Sequence, residues 1–354
     1  MTYDPSTDTR LDPRARDALT RLPPDASGDV DSREQLLAEA NSRRGLENRA
    51  LWRRIFDAMD DERIVPRAGL RFADHTLTSS PDGNRINLQF IRPDTTEALP
   101  CVYYIHGGSM ASLSCYDGMY RAWGRLLASM GAAVAMIDFR NSVSPSSVPE
   151  VAPYPAGLDD CASGLEWIHE HAPELGIVTS CIVVSGDSGG GNLSLALGIR
   201  LNRDERLDLV SGLYVLAPYL AGIWPQERFP STYENEGVFL SLRHNRGRMS
   251  YGIEAFEAGD PLAWPLFASD VDLRGLVPTV ISVNECDPLR DEGIAFYRQL
   301  MRAGVPARCR QVMGTYHVNE VMTTVCPDIS RDTARDIVAF ARGGRHPLAW
   351  SDQV

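Results

Sequence analysis

Long apolar stretches are missing from this 354-residue sequence. No uninterrupted apolar run reaches about 18 residues, the length that a membrane-spanning helix requires. Residues 1–25 are polar and hold no apolar segment of the kind found in secretory signals. We therefore expect a cytoplasmic protein that does not act in a membrane.

Positive charge is also scarce. The sequence has 35 Lys and Arg against 47 Asp and Glu, a formal net charge of −12. Nucleic acids and anionic membrane surfaces repel a negative molecule, so neither is expected as a partner. A small-molecule substrate fits this charge better, and the formation of a homo-oligomer is left open.

Disulfide and metal-site patterns are missing as well. The sequence has 7 cysteines, an odd number, and no two of them form a C-x-x-C pair. This pattern is typical of free thiols. The histidines show no ligand-like spacing with cysteines or carboxylates, so no metal ion is expected. Cys115 is interpreted either as a packed small residue or as a reactive thiol.

Strand-like and helix-like segments alternate through most of the sequence. This alternation indicates an α/β fold with a mostly parallel central sheet, helices on both faces and a helical cap. Residues 1–62 are predicted to form an N-terminal arm and one or two cap helices. Residues 63–220 form the first part of the core, residues 221–261 an aromatic-rich cap insertion, and residues 262–354 the second part of the core.

One short motif carries the strongest chemical signal. Residues 186–190 read Gly-Asp-Ser-Gly-Gly and lie between an apolar run and a helix-like segment. A G-x-S-x-G pattern on a strand-to-helix turn forms a nucleophile elbow, with the serine hydroxyl exposed at the end of the sheet. Ser188 is therefore the predicted nucleophile. The same pentapeptide surrounds the nucleophile of trypsin-like proteases, so the order of its partners has to distinguish the two classes.

Partners for Ser188 occur downstream of it. Asp287 follows the apolar run at 278–283, and His317 lies in a loop after a strand-like segment. The order Ser, Asp, His is that of α/β-hydrolases, whereas trypsin-like proteases have His, Asp, Ser. Asp291 is a rival acid, but a carboxylate at the start of a helix is explained by the helix dipole. We predict Ser188 as nucleophile, His317 as base and Asp287 as orienting acid.

A second glycine-containing loop supplies candidate oxyanion donors. Residues 106–110 read His-Gly-Gly-Ser-Met directly after a predicted strand. Glycines let backbone N–H groups approach a substrate oxygen closely, so the amides of Gly107, Gly108 and Gly189 are predicted to form the oxyanion hole. His106 is interpreted as structural, because the base role is already filled.

Taken together, these motifs resemble those of the hormone-sensitive-lipase-like esterases, the bacterial family IV. The likeness is carried by His-Gly-Gly at 106–108, Gly-Asp-Ser-Gly-Gly-Gly-Asn at 186–192, Asp-Pro-Leu-Arg-Asp-Glu-Gly at 287–293 and the late His317. The resemblance implies an α/β-hydrolase fold whose cap is built from the N-terminal segment and the insertion after the sixth core strand. It also implies hydrolysis of carboxylic esters by the same three residues, without a cofactor.

Two positions depart from the family pattern. A third glycine is usual in the oxyanion loop, where this sequence has Ser109 followed by Met110, and a glycine commonly follows the catalytic histidine, where it has Val318. These three residues are candidate substrate-pocket residues. The Ser109 hydroxyl is expected to satisfy the loop backbone, with substrate contact as the alternative. Val318 is β-branched, so it restricts the backbone and the space around it.

The function that fits these features best is that of a serine carboxylesterase, which hydrolyses small to medium esters through an acyl-enzyme. Two alternatives stay open. Lactonases and amidases use the same triad, and some proteins with this fold bind ligands without catalysis. Rates on an ester series, a lactone and an anilide separate the enzyme classes, and a phosphonate probe separates an enzyme from a receptor.

Overall fold

The computed structural model describes residues 3–23 and 27–344. The strands within these residues are β1 Leu70–Thr78, β2 Arg85–Pro93, β3 Leu99–Ile105, β4 Ala133–Asp138, β5 Ile177–Asp187, β6 Gly212–Leu216, β7 Thr279–Cys286 and β8 Ala307–Tyr316. The α-helices are α1 Pro13–Thr20, α2 Arg33–Asn41, α3 Arg43–Asp57, α4 Gly118–Ser129, α5 Ala156–Glu170, α6 Ala172–Leu175, α7 Gly189–Arg203, α8 Ser231–Glu234, α9 Arg246–Tyr251, α10 Ile253–Glu257, α11 Asp270–Leu273, α12 Arg290–Arg302 and α13 Pro327–Arg342.

The strands form a single mixed sheet in the order β1-β2-β4-β3-β5-β6-β7-β8. Strand β2 pairs antiparallel with β1 and β4, and every pair from β4 to β8 is parallel. The predicted α/β fold with a mostly parallel sheet is confirmed. Parallel neighbours end at the same edge of a sheet, so the loops after β5, β7 and β8 meet there.

Both faces of the sheet are covered. Neighbouring side chains of a strand point to opposite faces, and in β3 Tyr103 joins one apolar cluster while Tyr104 joins the other. Helices α5, α7 and α12 supply the first cluster, and α4 and α13 supply the second. The central strand β4 is buried along its whole length, as expected for a strand covered on both sides.

The N-terminal helices and the insertion after β6 contact each other. Helices α2 and α3 are separated at Ser42, whose hydroxyl accepts a hydrogen bond from the Gly45 N–H at 3.1 Å and so caps α3. The insertion contains α8, α9 and α10. Arg246 of α9 forms an ion pair with Glu39 of α2 at 2.7 Å, so the two segments are held together.

Parts of the predicted units fall outside the described residues, namely residues 1–2 and 24–26 of the N-terminal unit and residues 345–354 of the last unit. None of the helices within residues 3–23 and 27–344 combines the length and the apolar character that crossing a bilayer needs.

Candidate active site

Ser188 occupies a strained turn between β5 and α7. Its backbone has φ 53° and ψ −117°, a region that non-glycine residues rarely adopt and that is typical of functional sites. The motif glycines permit this turn. A Cβ at Gly186 would lie 2.6 Å from the carbonyl carbon of Gly190, and a Cβ at Gly190 would lie 2.6 Å from the His106 oxygen. The turn has the form of the predicted nucleophile elbow.

Asp287 and His317 form a buried pair. Asp287 directly follows β7 and His317 directly follows β8. His317 Nδ1 lies 2.8 Å from Asp287 Oδ2, and the two residues are 2% and 0% exposed. The rival Asp291 lies in α12 and accepts a hydrogen bond from the Ser231 N–H at 2.7 Å. The histidine therefore pairs with Asp287 rather than with Asp291.

The three predicted catalytic residues lie at the same edge of the sheet, at the carboxyl ends of β5, β7 and β8. Ser188 is 6% exposed, and its hydroxyl forms no hydrogen bond within the part of the chain that the structure describes. Burial raises the pKa of the neighbouring Asp187 carboxyl group, while hydrogen bonds from two tyrosines and the charge of His317 oppose that rise.

The oxyanion donors differ from the prediction at one position. The Gly107 N–H donates to Tyr120 Oη at 2.8 Å, so this amide is occupied and the prediction that it faces the oxyanion is corrected. Among the described residues, the amides of Gly108, Ser109 and Gly189 have no protein acceptor. A Cβ at Gly189 would lie 2.8 Å from the Ser109 nitrogen, so these free donors lie close together. The Ser109 amide is therefore a candidate donor in place of the Gly107 amide.

The departures from the family pattern adopt the backbone that glycine favours. Ser109, Met110 and Val318 have φ of 56°, 56° and 49°, which costs on the order of 1–3 kcal/mol at each position. The Val318 N–H donates to Asn284 Oδ1 at 3.2 Å, which helps to hold that conformation. Val318 is 4% exposed and Met110 is 1% exposed, in apolar clusters on opposite sides of the sheet.

The Ser109 hydroxyl does not satisfy the loop backbone. It makes no hydrogen bond to any residue in the described ranges, so the favoured expectation for this side chain is wrong and substrate contact stays a prediction. His106 is fully buried, with Nδ1 2.9 Å from the Gly107 oxygen and its ring stacked on Phe139. Its structural interpretation agrees with these contacts. Cys115 is buried, which raises its pKa and makes it a packed, unreactive thiol.

An aromatic side chain from the insertion lies beside His317 and contacts a second one from the N-terminal helices. The Phe239 ring, from the insertion, lies 6.3 Å from the His317 ring with an interplanar angle of 26°. Trp52 of α3 contacts Phe239 edge to face, with ring centroids 6.3 Å apart. The sequence shows that the insertion is rich in aromatic residues, but only the fold shows that Phe239 lies beside the histidine.

A further buried carboxylate, Glu292, anchors the chain where the insertion begins. Its two oxygens accept hydrogen bonds from the Leu220 N–H and from Trp224 Nε1, each at 2.6 Å. Complete burial raises the pKa of this carboxyl group to about 8, against the lowering effect of the hydrogen bonds. Ionisation of Glu292 at alkaline pH therefore works against the folded state.

The sequence matches the family described as alpha/beta hydrolase fold over residues 102–320. The chain belongs to the alpha/beta hydrolase fold family. The match spans the oxyanion loop, the elbow and the loops that carry Asp287 and His317. No group of three His, Cys, Asp or Glu side chains within the described residues of this hydrolase is arranged to hold a metal ion.

Relatives of this alpha/beta hydrolase are named as esterases. Carboxylesterase NlhH of Mycobacterium tuberculosis is 32% identical over 256 residues, which cover 71% of this chain and 76% of the relative. The structure of esterase Est22 with p-nitrophenol is 57% identical and has a TM-score of 0.94, covering 96% of this chain and all of that one.

Brefeldin A esterase is another solved structure to which this hydrolase is similar. Its structure is 34% identical, with a TM-score of 0.85, and covers 96% of this chain and 95% of that one. It is described as a bacterial homologue of human hormone-sensitive lipase. The predicted kinship with the hormone-sensitive-lipase-like esterases is confirmed, and Est22 is more similar to this hydrolase than brefeldin A esterase is.

Proposed function

We propose that this chain is a serine carboxylesterase, in which Ser188 attacks an ester carbonyl and His317 and Asp287 activate it. The observation that carries the proposal is the strained serine at the sheet edge that also bears the buried His317–Asp287 pair. Family membership and the esterase names of NlhH, Est22 and brefeldin A esterase support it.

The catalytic residues and the loop amides have distinct roles in the proposed reaction. Ser188 Oγ bonds to the carbonyl carbon while its proton passes to His317 Nε2, and Asp287 stabilises the imidazolium through Nδ1–H. The carbonyl oxygen becomes an oxyanion beside the amides of Gly108, Ser109 and Gly189. The bond to the alcohol then breaks, and the alcohol oxygen takes the proton from His317. Water, deprotonated by the same histidine, releases the acid and restores the serine.

The cap limits the size of the proposed substrates. We propose that residues 1–62 and the insertion at 221–261 form this cap over the site, and their direct ion pair supports the proposal. The Phe239 ring beside His317, with the Trp52 ring packed against Phe239, favours small to medium esters with flat alcohols. The structure of Est22 with p-nitrophenol, an aromatic alcohol, agrees with this proposal. A lactonase or amidase that uses the same residues is the alternative.

A cytoplasmic location and a small-molecule substrate, with no nucleic-acid partner, complete the proposal. The net charge of −12 supports the exclusion of polyanionic partners. All 7 cysteines are free thiols, which fits a reducing compartment.

Replacement of the nucleophile tests the proposal. Ser188→Ala is expected to lower kcat on a short-chain aryl ester by about 10⁶-fold. Ser185→Ala is a matched control, because Ser185 is also buried, lies in β5 and has a hydroxyl that forms no hydrogen bond within the described residues. This control is expected to keep its activity. Retention of more than about a tenth of wild-type activity by Ser188→Ala would show that another group is the nucleophile.

A further inference from the structure

A buried chain of hydrogen bonds connects the oxyanion loop to the nucleophile elbow. The Gly107 N–H donates to Tyr120 Oη at 2.8 Å, and the Tyr120 hydroxyl donates to Asp187 Oδ2 at 3.1 Å. These three residues are called the tyrosine bridge below. Gly107 precedes Gly108 of the oxyanion loop, and Asp187 precedes Ser188. One end of the bridge is therefore covalently attached to the oxyanion loop and the other end to the predicted nucleophile.

We propose that Tyr120 and Asp187 are positioning residues, which hold the oxyanion loop at its working distance from Ser188. The proposal rests on the proposed function, because it concerns the same acyl-transfer site. Neither residue contacts the reacting atoms in this scheme. They act through the Gly107 amide, whose N–H is held by Tyr120 and therefore does not face the substrate.

Burial makes the tyrosine bridge stiff. Tyr120 and Asp187 are each 1% exposed, so water does not compete for their hydrogen bonds and an unpaired partner is costly. The second oxygen of Asp187 accepts a hydrogen bond from the Tyr104 hydroxyl at 2.8 Å. Both carboxylate oxygens are therefore held, and Asp187 is a fixed anchor for the bridge.

Close packing limits movement of the oxyanion loop toward Tyr120 and Asp187. A Cβ at Gly107 would lie 2.9 Å from Tyr120 Oη and 3.1 Å from the Asp187 carbonyl oxygen. The loop backbone at Gly107 therefore packs too closely against the bridge to leave space for a side chain, and this packing opposes inward movement. The hydrogen bond from the Gly107 N–H opposes outward movement, so the loop position is determined from both sides.

The loop position affects the transition state more than substrate binding. Oxyanion donors act on the charge that develops when Ser188 attacks, and a displacement of about 1 Å can cost about 10²-fold in rate. Loss of the bridge should therefore lower kcat and leave KM nearly unchanged. A purely structural role of the same hydroxyl would lower the stability and leave both kinetic constants as they are.

Tyr120→Phe tests the proposal, because it keeps the ring and removes only the hydroxyl. We expect kcat on an aryl ester to fall by about 10- to 100-fold with KM changed by less than about threefold. The second readout is inhibition by an aryl trifluoromethyl ketone, whose carbonyl carbon bonds to Ser188 and whose oxygen becomes an oxyanion. Its inhibition constant is expected to rise by about the same factor as kcat falls.

Tyr103→Phe is the matched control. Tyr103 lies in the same region of β3 as Tyr104 and is fully buried, but its hydroxyl donates to the Cys161 oxygen on the opposite face of the sheet. This variant loses one buried hydrogen bond of similar kind and is expected to keep kcat and the inhibition constant, although its thermal midpoint falls.

The outcomes separate the positioning role from the proposed function. Equal effects of Tyr120→Phe and Tyr103→Phe, or an unchanged kcat and inhibition constant in a folded Tyr120→Phe, would overturn the positioning role. A wild-type protein that neither hydrolyses the ester nor binds the ketone would instead overturn the esterase proposal. If Tyr120→Phe does not fold, Asp187→Asn serves in its place, since its amide keeps the volume and must lose one of the two tyrosine hydrogen bonds. An unchanged kcat and inhibition constant in that variant would also overturn the positioning role.

Discussion

The substitution Gly190→Ala places a methyl group where the nucleophile elbow touches the oxyanion loop. Gly190 lies in the first turn of α7. A Cβ at this position would lie 2.6 Å from the His106 oxygen and 2.7 Å from the Ile105 carbonyl carbon, and closer still to the Ile105 oxygen. All of these are backbone atoms at the start of the oxyanion loop, so no side-chain rotation relieves the contact.

The size of the effect follows from these distances. Ordinary contacts of a Cβ begin at 3.4 Å, so the loop or the helix has to retreat by roughly an ångström. A displacement of this size between the donors and Ser188 is expected to lower kcat by about 10²-fold. The strain costs about 1–3 kcal/mol of stability, and the better helix propensity of Ala returns up to about 1 kcal/mol. The Gly190→Ala protein is therefore expected to fold and to have a lowered kcat.

Steady-state kinetics on a short-chain aryl ester, together with thermal unfolding, measure both effects. Gly198→Ala is the control in the same helix, because its Cβ would meet the flexible end of the Leu213 side chain at 2.6 Å rather than backbone. The control is expected to retain kcat within about threefold of the wild type. A folded Gly190→Ala protein with kcat equal to that of the control would refute the argument that the elbow and the loop are in fixed contact.

Two further substitutions address the buried carboxylates. Asp287→Asn presents an amide to His317 and favours the wrong tautomer, so kcat is expected to fall by about 10⁴-fold with the fold intact by circular dichroism; a loss below about tenfold would exclude Asp287 as the orienting acid. Glu292→Gln removes a group whose stabilising contribution is present below its unfolded pKa of 4.5 and lost as the pH rises through about 8. In urea titrations the stability of this variant relative to the wild type is expected to rise by on the order of 4 kcal/mol between about pH 5 and pH 8.5. A difference that stays constant with pH would contradict the raised pKa.

The mostly parallel sheet and the residues of the candidate triad are predictable from the sequence for a physical reason. Ser188, Asp287 and His317 each follow directly on a run that becomes a strand, and parallel strands bring their carboxyl ends to one edge. The glycines around the serine are equally informative, because their Cβ atoms have no space in the turn. Local patterns determine both features.

The oxyanion donors are harder to predict because they depend on tertiary contacts. Gly107 has the residue type of a donor, but Tyr120 from α4 takes its amide. Ser109 lacks the residue type, yet its backbone adopts φ 56° and its amide has no acceptor among the described residues. The contacts of Phe239 with His317 and with Trp52 also join segments that are far apart in the sequence. No local sequence pattern predicts which amide or ring a distant element will contact.

Labelling with an organophosphonate tests the central claim most directly. An activated serine attacks phosphorus and displaces the leaving group, so the adduct marks the nucleophile. Peptide mapping of the wild-type protein is predicted to place one adduct on Ser188, and the Ser188→Ala variant is predicted to remain unlabelled. An adduct on another residue, or equal labelling of the variant, would contradict the account.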